Sequence, residues 1–258
     1  ASHITGYTGK VTDYSEENKK QFGRLLKHPD LRVGKAGVEY TLQKKLLGKP
    51  GIVEVEVDSK GNYIKELEYT NQTRGQNVKL TIDVEIQNKT HQLLKGKGGI
   101  RDEGASAVLL DVESGDIMAM VSVPDYDPNK FVTGISNKEL QEIYQNPDKP
   151  LLNKAISFVY PPGSTFKAVV ALAALEEGII HKDTYGYCTG KIELGDREFH
   201  CWKEEGHGPV NLVDAIQQSC NVYFYEVAQM LGIKKISEFA RKFGFGHLTD
   251  IPLPLEEE

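Results

Sequence analysis

Apolar and polar residues change their spacing several times in the first third of the chain. A polar segment from Ser15 to Lys27 and a second one from Tyr40 to Leu47 both have helical spacing. Apolar and acidic residues then alternate from Ile52 to Asp58, and Tyr63 to Tyr69 can return as a second strand after a Lys-Gly turn. The pattern predicts two helices followed by a half-exposed hairpin.

Polar residues rich in turn formers follow the hairpin and indicate a domain boundary near Gln76. We therefore predict one domain over residues 1–76 and a second over residues 77–258. In the second, Ala107 to Val112 and Ile117 to Val121 are apolar runs joined by a turn, which predicts a hairpin in the middle of a sheet.

Three helices are predicted in the last hundred residues. Two are long: one from about Ser164 to Glu177, stopped by Gly178, and one from Asn221 to Leu231, stopped by Gly232. A short one after Asn211 ends near Gln218. Hairpins and helices segregate without regular βαβ units, so the sequence predicts an α+β fold.

Composition and charge exclude several classes of protein. The 258 residues carry a net charge of -6 and no basic stripe, which argues against a nucleic-acid partner. No apolar run approaches the roughly 20 residues needed to cross a bilayer. Because the chain begins abruptly in what reads as folded sequence, a membrane anchor upstream in the full-length protein remains compatible with this composition.

Ser164 and Lys167 stand at the start of an almost wholly apolar helix. Their spacing places both on one face of its first turn, where a desolvated lysine can act as the base for a serine nucleophile. The helix N-terminus supplies amide donors where an oxyanion would develop. Alone, S-x-x-K is a weak signal because it recurs by chance, but the Tyr-Pro-Pro-Gly sequence before Ser164 strengthens it.

About fifty residues later, Ser219 and Asn221 flank Cys220 at the entry to the next helix. Alternate side chains there point the same way, so Ser219 and Asn221 can face one cleft while Cys220 faces the opposite side. Serine and asparagine are also favoured helix caps, and a capping role is compatible with this placement.

These motifs resemble class B penicillin-binding proteins. The resemblance rests on Pro162 to Lys167, on the spacing to Ser219-Cys-Asn221 and on Pro124 to Val132; it covers essentially the whole chain and is closest to the penicillin-binding protein 2 group that serves cell elongation. It implies a penicillin-binding transpeptidase (β-lactamase-like) fold with an antiparallel sheet and helices, preceded by part of a β-rich pedestal domain over residues 1–76.

The resemblance also implies a reaction. Ser164 is expected to be acylated by the penultimate D-Ala of a peptidoglycan stem peptide, with Lys167 as base, Ser219 as proton relay to the leaving group and Asn221 holding the substrate amide. A second strand's amine then forms the cross-link, and β-lactams trap the same serine. The implied location is the periplasmic side of the bacterial inner membrane, with an N-terminal anchor in the full-length protein.

The third motif of the family, K-T-G, is missing from this sequence. The sequence is therefore interpreted as an internal fragment with an incomplete transpeptidase fold, lacking the strand that supplies the second oxyanion amide and the contact to the substrate carboxylate. The expected result is poor or absent acyl transfer by this chain alone. Stoichiometric acylation of Ser164 by a fluorescent penicillin would contradict that expectation.

Every cysteine of the chain belongs to one C-x12-C-x5-H-x12-C pattern: Cys188, Cys201, His207 and Cys220. Three thiolates and one imidazole suit a structural, tetrahedral Zn²⁺ site, and some members of the penicillin-binding protein 2 group carry a metal in this region. A disulfide between Cys188 and Cys201, or three unlinked buried cysteines, are the alternatives. His200 is a possible substitute for His207.

Two other functions compete with transpeptidation. A β-lactamase or β-lactam sensor domain uses the same serine and lysine, but usually lacks a pedestal such as residues 1–76. A non-catalytic scaffold would instead use the pedestal hairpin and the segment Gly34 to Glu39 to dock membrane proteins of the elongation complex. Pedestal docking is also compatible with an active enzyme.

Overall fold

A computed structural model describes residues 1–11, 15–95, 104–254 and 256. Helices and short two-stranded antiparallel sheets make up the fold, which confirms the predicted α+β class. Contacts divide the chain into two compact units. The first holds Ala1–Phe158 and the segment that begins at Ile251, and the second holds Val159–Asp250. The predicted boundary near Gln76 stays a prediction.

The first unit confirms the two predicted helical segments and the two predicted hairpins. A 3-10 turn at Gly23–Lys27 continues its second helix. Its helices are α1 Ser2–Thr5, α2 Glu16–Phe22, α3 Gly37–Thr41, α4 Gln43–Leu46, α5 Val84–Lys95, α6 Pro128–Thr133 and α7 Asn137–Gln145. Its strands pair in sequence order: β1 Thr8–Lys10 with β2 Arg32–Gly34, β3 Ile52–Val57 with β4 Tyr63–Thr70, and β5 Ala105–Leu110 with β6 Ile117–Val123.

The β3–β4 hairpin is exposed along its whole length on both strands. Alternation places Val53, Val55 and Val57 on one face and Glu54 and Glu56 on the other, as the sequence predicts. The predicted half-burial is wrong, because the valine face is exposed as well as the acidic face.

The β5–β6 hairpin does not lie in the middle of a sheet in the part of the chain that the structure describes. The side chain of Gln87, on α5, takes the place of a neighbouring strand. Its amide donates to the Met120 carbonyl at 2.7 Å and accepts from the Met120 amide at 2.8 Å. A buried glutamine can therefore satisfy the backbone of β6 without a further strand.

The second unit packs helices against two small hairpins. Its 3-10 turn, Gly163–Phe166, leads into α8 Lys167–Glu176. The other helices are α9 Leu212–Gln217, α10 Asn221–Leu231 and α11 Ile233–Lys242. Strand β7 Gly186–Cys188 pairs with β10 Gly208–Val210, and β8 Lys191–Leu194 pairs with β9 Arg197–His200. Apolar faces of α8 and α10 form the core, together with the three cysteines.

Most sequence-based bounds in this unit hold. Helix α10 runs from Asn221 to Leu231 as predicted, and Asn211 caps α9 by accepting from the Asp214 amide at 2.9 Å. The α-helical part of α8 begins at Lys167 instead of Ser164. Ser164 lies in the preceding 3-10 turn, because Gly163 at φ 57° reverses the backbone only one residue earlier.

We expect Ile180→Ala to destabilise the second unit by about 3 kcal/mol. Ile180 has 0% exposure and lies in the core beside α8, so truncation leaves a cavity. Thermal unfolding of the whole protein measures the effect. Ile233→Ala is the matched control because Ile233 is 81% exposed. Equal unfolding temperatures for the two variants would contradict the prediction.

Candidate active site and metal cluster

Ser164 is exposed at the head of α8, whereas Lys167 is partly buried one turn further on. The Thr165 hydroxyl donates to the Pro162 carbonyl and closes the 3-10 turn that carries the serine. This turn presents the Ser164 hydroxyl to solvent while the apolar body of α8 anchors it in the core.

A short turn between α9 and α10 carries the second motif. Ser219 has φ 52°, an uncommon conformation for a residue with a side chain. Cys220 is the N-cap of α10 and is fully buried, and Asn221 is its first residue. As predicted from alternation, the Ser219 and Asn221 side chains share a set of contacts that Cys220 does not join.

The two motifs meet at the amine of Lys167. It donates to three acceptors: the Ser219 carbonyl at 2.8 Å, the Ser219 Oγ at 3.0 Å and the Asn221 Oδ1 at 2.6 Å. The Ser219 Oγ in turn donates to the Ser164 Oγ at 2.8 Å. The hydrogen-bonded path from Ser164 to Lys167 therefore runs through Ser219, whereas the sequence suggested a direct contact.

Burial makes loss of the Lys167 proton easier than it is for an exposed lysine. Burial lowers the pKa of its amine, against an opposing contribution from the Cys201 and Cys220 thiols. The amine also lies 5.8 Å from the centroid of the Phe224 ring, at the apolar floor of the site. A partly buried lysine held by neutral acceptors is suited to general base chemistry.

The four residues of the cysteine pattern come together beside this turn. One ligand atom from each of Cys188, Cys201, His207 and Cys220 lies within 4.8 Å of every other. The three thiols are free in the structure. Pairing of β7 with β10 brings Cys188 beside Gly208, and the β8–β9 hairpin returns the chain so that the Cys201 amide donates to the Gly190 carbonyl at 2.7 Å.

The pKa values of the two thiols next to Asn221 and Ser219 are shifted in opposite directions. Burial acts to raise the pKa of the Cys201 thiol, but amides of Lys203, Asn221 and Val222 donate to the sulfur, and the net pKa is lowered to about 7. Burial raises the pKa of Cys220 to about 12. Burial lowers the pKa of His207, which favours the neutral imidazole that a metal needs.

His207, and not His200, belongs to this cluster. The Nδ1 of His207 lies 3.5 Å from the Cys201 Sγ, and its buried Nε2 has no hydrogen-bond partner among the residues described. The His200 ring is 66% exposed and lies 3.5 Å from Glu198. His200 is therefore not placed as a substitute ligand.

A serine and a lysine one turn apart at the head of an apolar helix, joined through a second serine, are typical of the penicillin-recognising serine acyltransferases. The family comparison agrees with that class. The penicillin binding protein transpeptidase domain matches residues 105–258, and the penicillin-binding protein dimerisation domain matches residues 1–80. The chain belongs to the penicillin-binding protein transpeptidase family.

Among individual relatives, the chain is similar to peptidoglycan D,D-transpeptidase MrdA. It is 36% identical to the protein of Escherichia coli K12 over 99% of the chain, and 38% identical to that of Acinetobacter baumannii over 100% of the chain. The chain spans only 40% and 37% of these relatives' lengths.

Solved structures give the same result. The Helicobacter pylori penicillin-binding protein PBP2, solved in complex with MreC, matches all of this chain at TM-score 0.84 and 33% identity; the match covers 46% of that protein's chain. Pseudomonas aeruginosa PBP2 in complex with WCK 5153 matches 99% of this chain at TM-score 0.77 and 31% identity, over 51% of that chain. Among the described residues, no helix combines the length and apolar character needed to cross a bilayer.

Proposed function

We propose that this chain carries the nucleophile of a peptidoglycan D,D-transpeptidase that cross-links stem peptides during cell elongation. The observation that carries the proposal is the continuous hydrogen-bonded path from Ser164 through Ser219 to Lys167. Family membership supports it, as does the name of the MrdA relatives.

In the acylation step, the Ser164 Oγ attacks the carbonyl of the penultimate D-Ala. Its proton passes to Ser219, and Ser219 gives its own proton to the neutral amine of Lys167. The peptide C–N bond then breaks, the terminal D-Ala leaves, and its nitrogen receives the proton along the same path. An acyl-enzyme ester on Ser164 results.

In the second step, an amine from another strand attacks the ester carbonyl. It loses a proton through Ser219 to Lys167, and the Ser164 Oγ leaves and is reprotonated. A new peptide bond joins the two strands. A β-lactam carbonyl enters the first step in the same way but leaves an adduct that blocks the second.

Asn221 is proposed to hold the substrate amide. Its Oδ1 accepts from Lys167, and its Nδ2 donates to the His200 carbonyl at 3.2 Å. An asparagine amide has two acceptor sites on oxygen and two donors on nitrogen. One of each is therefore left for a substrate peptide group, so Asn221 can orient the substrate and support Lys167 at once.

We also propose a structural Zn²⁺ held by Cys188, Cys201, His207 and Cys220. Three free sulfurs, one imidazole and no carboxylate form a donor set typical of a closed zinc site. Ligand atoms within 4.8 Å of one another need only small shifts to reach an ion about 2.0 to 2.3 Å from each. Zinc would neutralise the thiolates and brace the turn that carries Ser219.

The proposed location of the whole protein is the periplasmic side of the inner membrane, held by an N-terminal helix. The proposed partners of its pedestal, residues 1–76, are membrane proteins of the elongation complex. Two observations support this: the exposed apolar side chains of the β3–β4 hairpin, and the solved complex of the Helicobacter pylori relative with MreC.

A fluorescent penicillin tests the proposed reaction. Incubation with the full-length protein, unlike incubation with this chain alone, is expected to give one adduct on each molecule, and mass spectrometry of a digest is expected to place it on the peptide that contains Ser164. Excess unlabelled penicillin should prevent labelling, and denatured protein should not label. An adduct on another residue, or no adduct, would contradict the proposal.

The lifetime of this adduct separates a transpeptidase from a β-lactamase. A transpeptidase is expected to retain the penicilloyl group after free penicillin is removed, whereas a β-lactamase releases it within its catalytic cycle. Rapid loss of label would support the β-lactamase alternative. Normal cross-linking in cells whose whole protein carries Ser164→Ala would instead support a scaffold without catalysis.

A further inference from the structure

Three consecutive residues, His200 to Trp202, hold both sides of the turn that carries Ser219. The Asn221 side chain donates to the His200 carbonyl at 3.2 Å, and the Asn221 amide donates to the Cys201 Sγ at 3.4 Å. On the other side of Ser219, the Trp202 indole donates to the Gln218 carbonyl at 2.9 Å.

Trp202 is placed by its polar atom and not by burial. Its side chain is 63% exposed, which is unusual for a large aromatic residue with a core role. The indole N–H nevertheless has a partner, and the ring lies edge-on to His207 with centroids 5.2 Å apart. Trp202 therefore contacts His207, one of the proposed zinc ligands, and also the turn that carries Ser219.

The hydrogen bond from Trp202 to the Gln218 carbonyl restrains a backbone conformation at Ser219 that is unfavourable by itself. Ser219 at φ 52° lies in the left-handed region, where a residue with a Cβ is disfavoured by roughly 1 kcal/mol. Such conformations persist where the surroundings fix them. The peptide plane between Gln218 and Ser219 is fixed at both ends: its carbonyl accepts from Trp202, and its N–H donates to the Ile216 carbonyl at 3.1 Å.

Orientation of this plane decides where Ser219 points. The Ser219 Oγ must reach the Lys167 amine at 3.0 Å and the Ser164 Oγ at 2.8 Å at the same time. Rotation of the peptide plane changes φ of Ser219 and moves its side chain from between these two groups.

We propose that Trp202 is a positioning residue for Ser219, which it holds in place through the Gln218 carbonyl. This inference rests on the proposed transpeptidase reaction. It predicts that loss of the indole N–H slows acylation of Ser164 through Ser219 and leaves initial binding of the acyl donor and the metal content unchanged.

The test compares acylation of the whole protein by penicillin with two changes at this position. Trp202→Phe removes the N–H and part of the ring, and benzothienylalanine at position 202 removes only the N–H. Both are expected to lower the first-order acylation rate about fivefold to tenfold, the effect of one lost hydrogen bond, with the dissociation constant of the initial complex unchanged. Tyr185→Phe is the control, since Tyr185 is 66% exposed and the substitution also alters an aromatic side chain.

A double-mutant cycle distinguishes positioning from general stabilisation. In a Ser219→Ala background, Trp202→Phe is expected to have no further effect on acylation, because Trp202 acts through Ser219. An equal fall in both backgrounds, or an acylation rate for either Trp202 variant equal to that of the native protein, would overturn the inference. Failure of the native protein to acylate at Ser164 would instead overturn the proposed function.

Discussion

Replacement of Lys167 by alanine is expected to lower the second-order rate of penicillin acylation on the order of 1000-fold in the whole protein, the loss typical of removing a general base. The amine is the end of the path that receives the Ser164 proton. It also holds Ser219 and Asn221 through three hydrogen bonds, so its removal takes away both the base and the order of the second motif. Stopped-flow kinetics with a fluorescent penicillin measures the rate.

Lys167→Arg tests which property of the lysine matters. Arginine keeps the positive charge but does not lose its proton near neutral pH, so this variant is also expected to be almost inactive. Lys234→Ala is the matched control, because Lys234 lies exposed on α11, and Ser164→Ala sets the background. A rate for Lys167→Arg within tenfold of the native rate would show that the side chain serves as a fixed cation instead of a base.

His207→Ala is expected to abolish the proposed zinc site and to lower the unfolding temperature of the whole protein by roughly 10 °C. A ligand bound about 1000-fold above its dissociation constant stabilises a fold by about 4 kcal/mol, and each kcal/mol shifts the unfolding temperature of a domain of this size by a few degrees. Elemental analysis of protein purified without chelator is expected to find one zinc ion per chain in the native protein and none in the variant.

His200→Ala is the matched control for the metal site. His200 is adjacent in sequence to Cys201, but its ring is exposed and lies outside the cluster. This variant is expected to keep its zinc and its unfolding temperature. Native protein without zinc, or equal loss of zinc in both histidine variants, would contradict the proposed ligands.

The fold could be predicted wherever a local signal determined it. Gly232 ends α10, Asn211 begins α9, and Gly195-Asp196 joins β8 to β9, each at a position that its residue type indicates. Helix α5 was missed, although Asp83 caps it by accepting from the Glu85 and Ile86 amides. Apolar residues alternate with polar ones from Val78 to Ile82, just before the cap, and this strand-like spacing concealed the change to a helical period.

The sequence predicts which side chains come together at the site, but it does not predict the hydrogen bonds that join them. The spacing of Ser164 and Lys167 follows from the helix, and alternation separates Cys220 from its neighbours. The bridging position of Ser219 depends on its positive φ, which no residue type at that position predicts. The role proposed for Trp202 has no periodic signal in the sequence, because it rests on a single indole hydrogen bond made two residues after β9 ends.

Cys220 lies between Ser219 and Asn221, and the three adjacent side chains are proposed to serve a proton path, a metal and a substrate contact. A substitution at any of them removes one of these duties, and an insertion breaks the alternation that keeps them apart. Under the proposed function, selection by β-lactams has little freedom at this turn. We expect resistance substitutions to arise at positions other than these three residues. We also expect resistance to an inhibitor that binds the Ser219 turn to develop slowly.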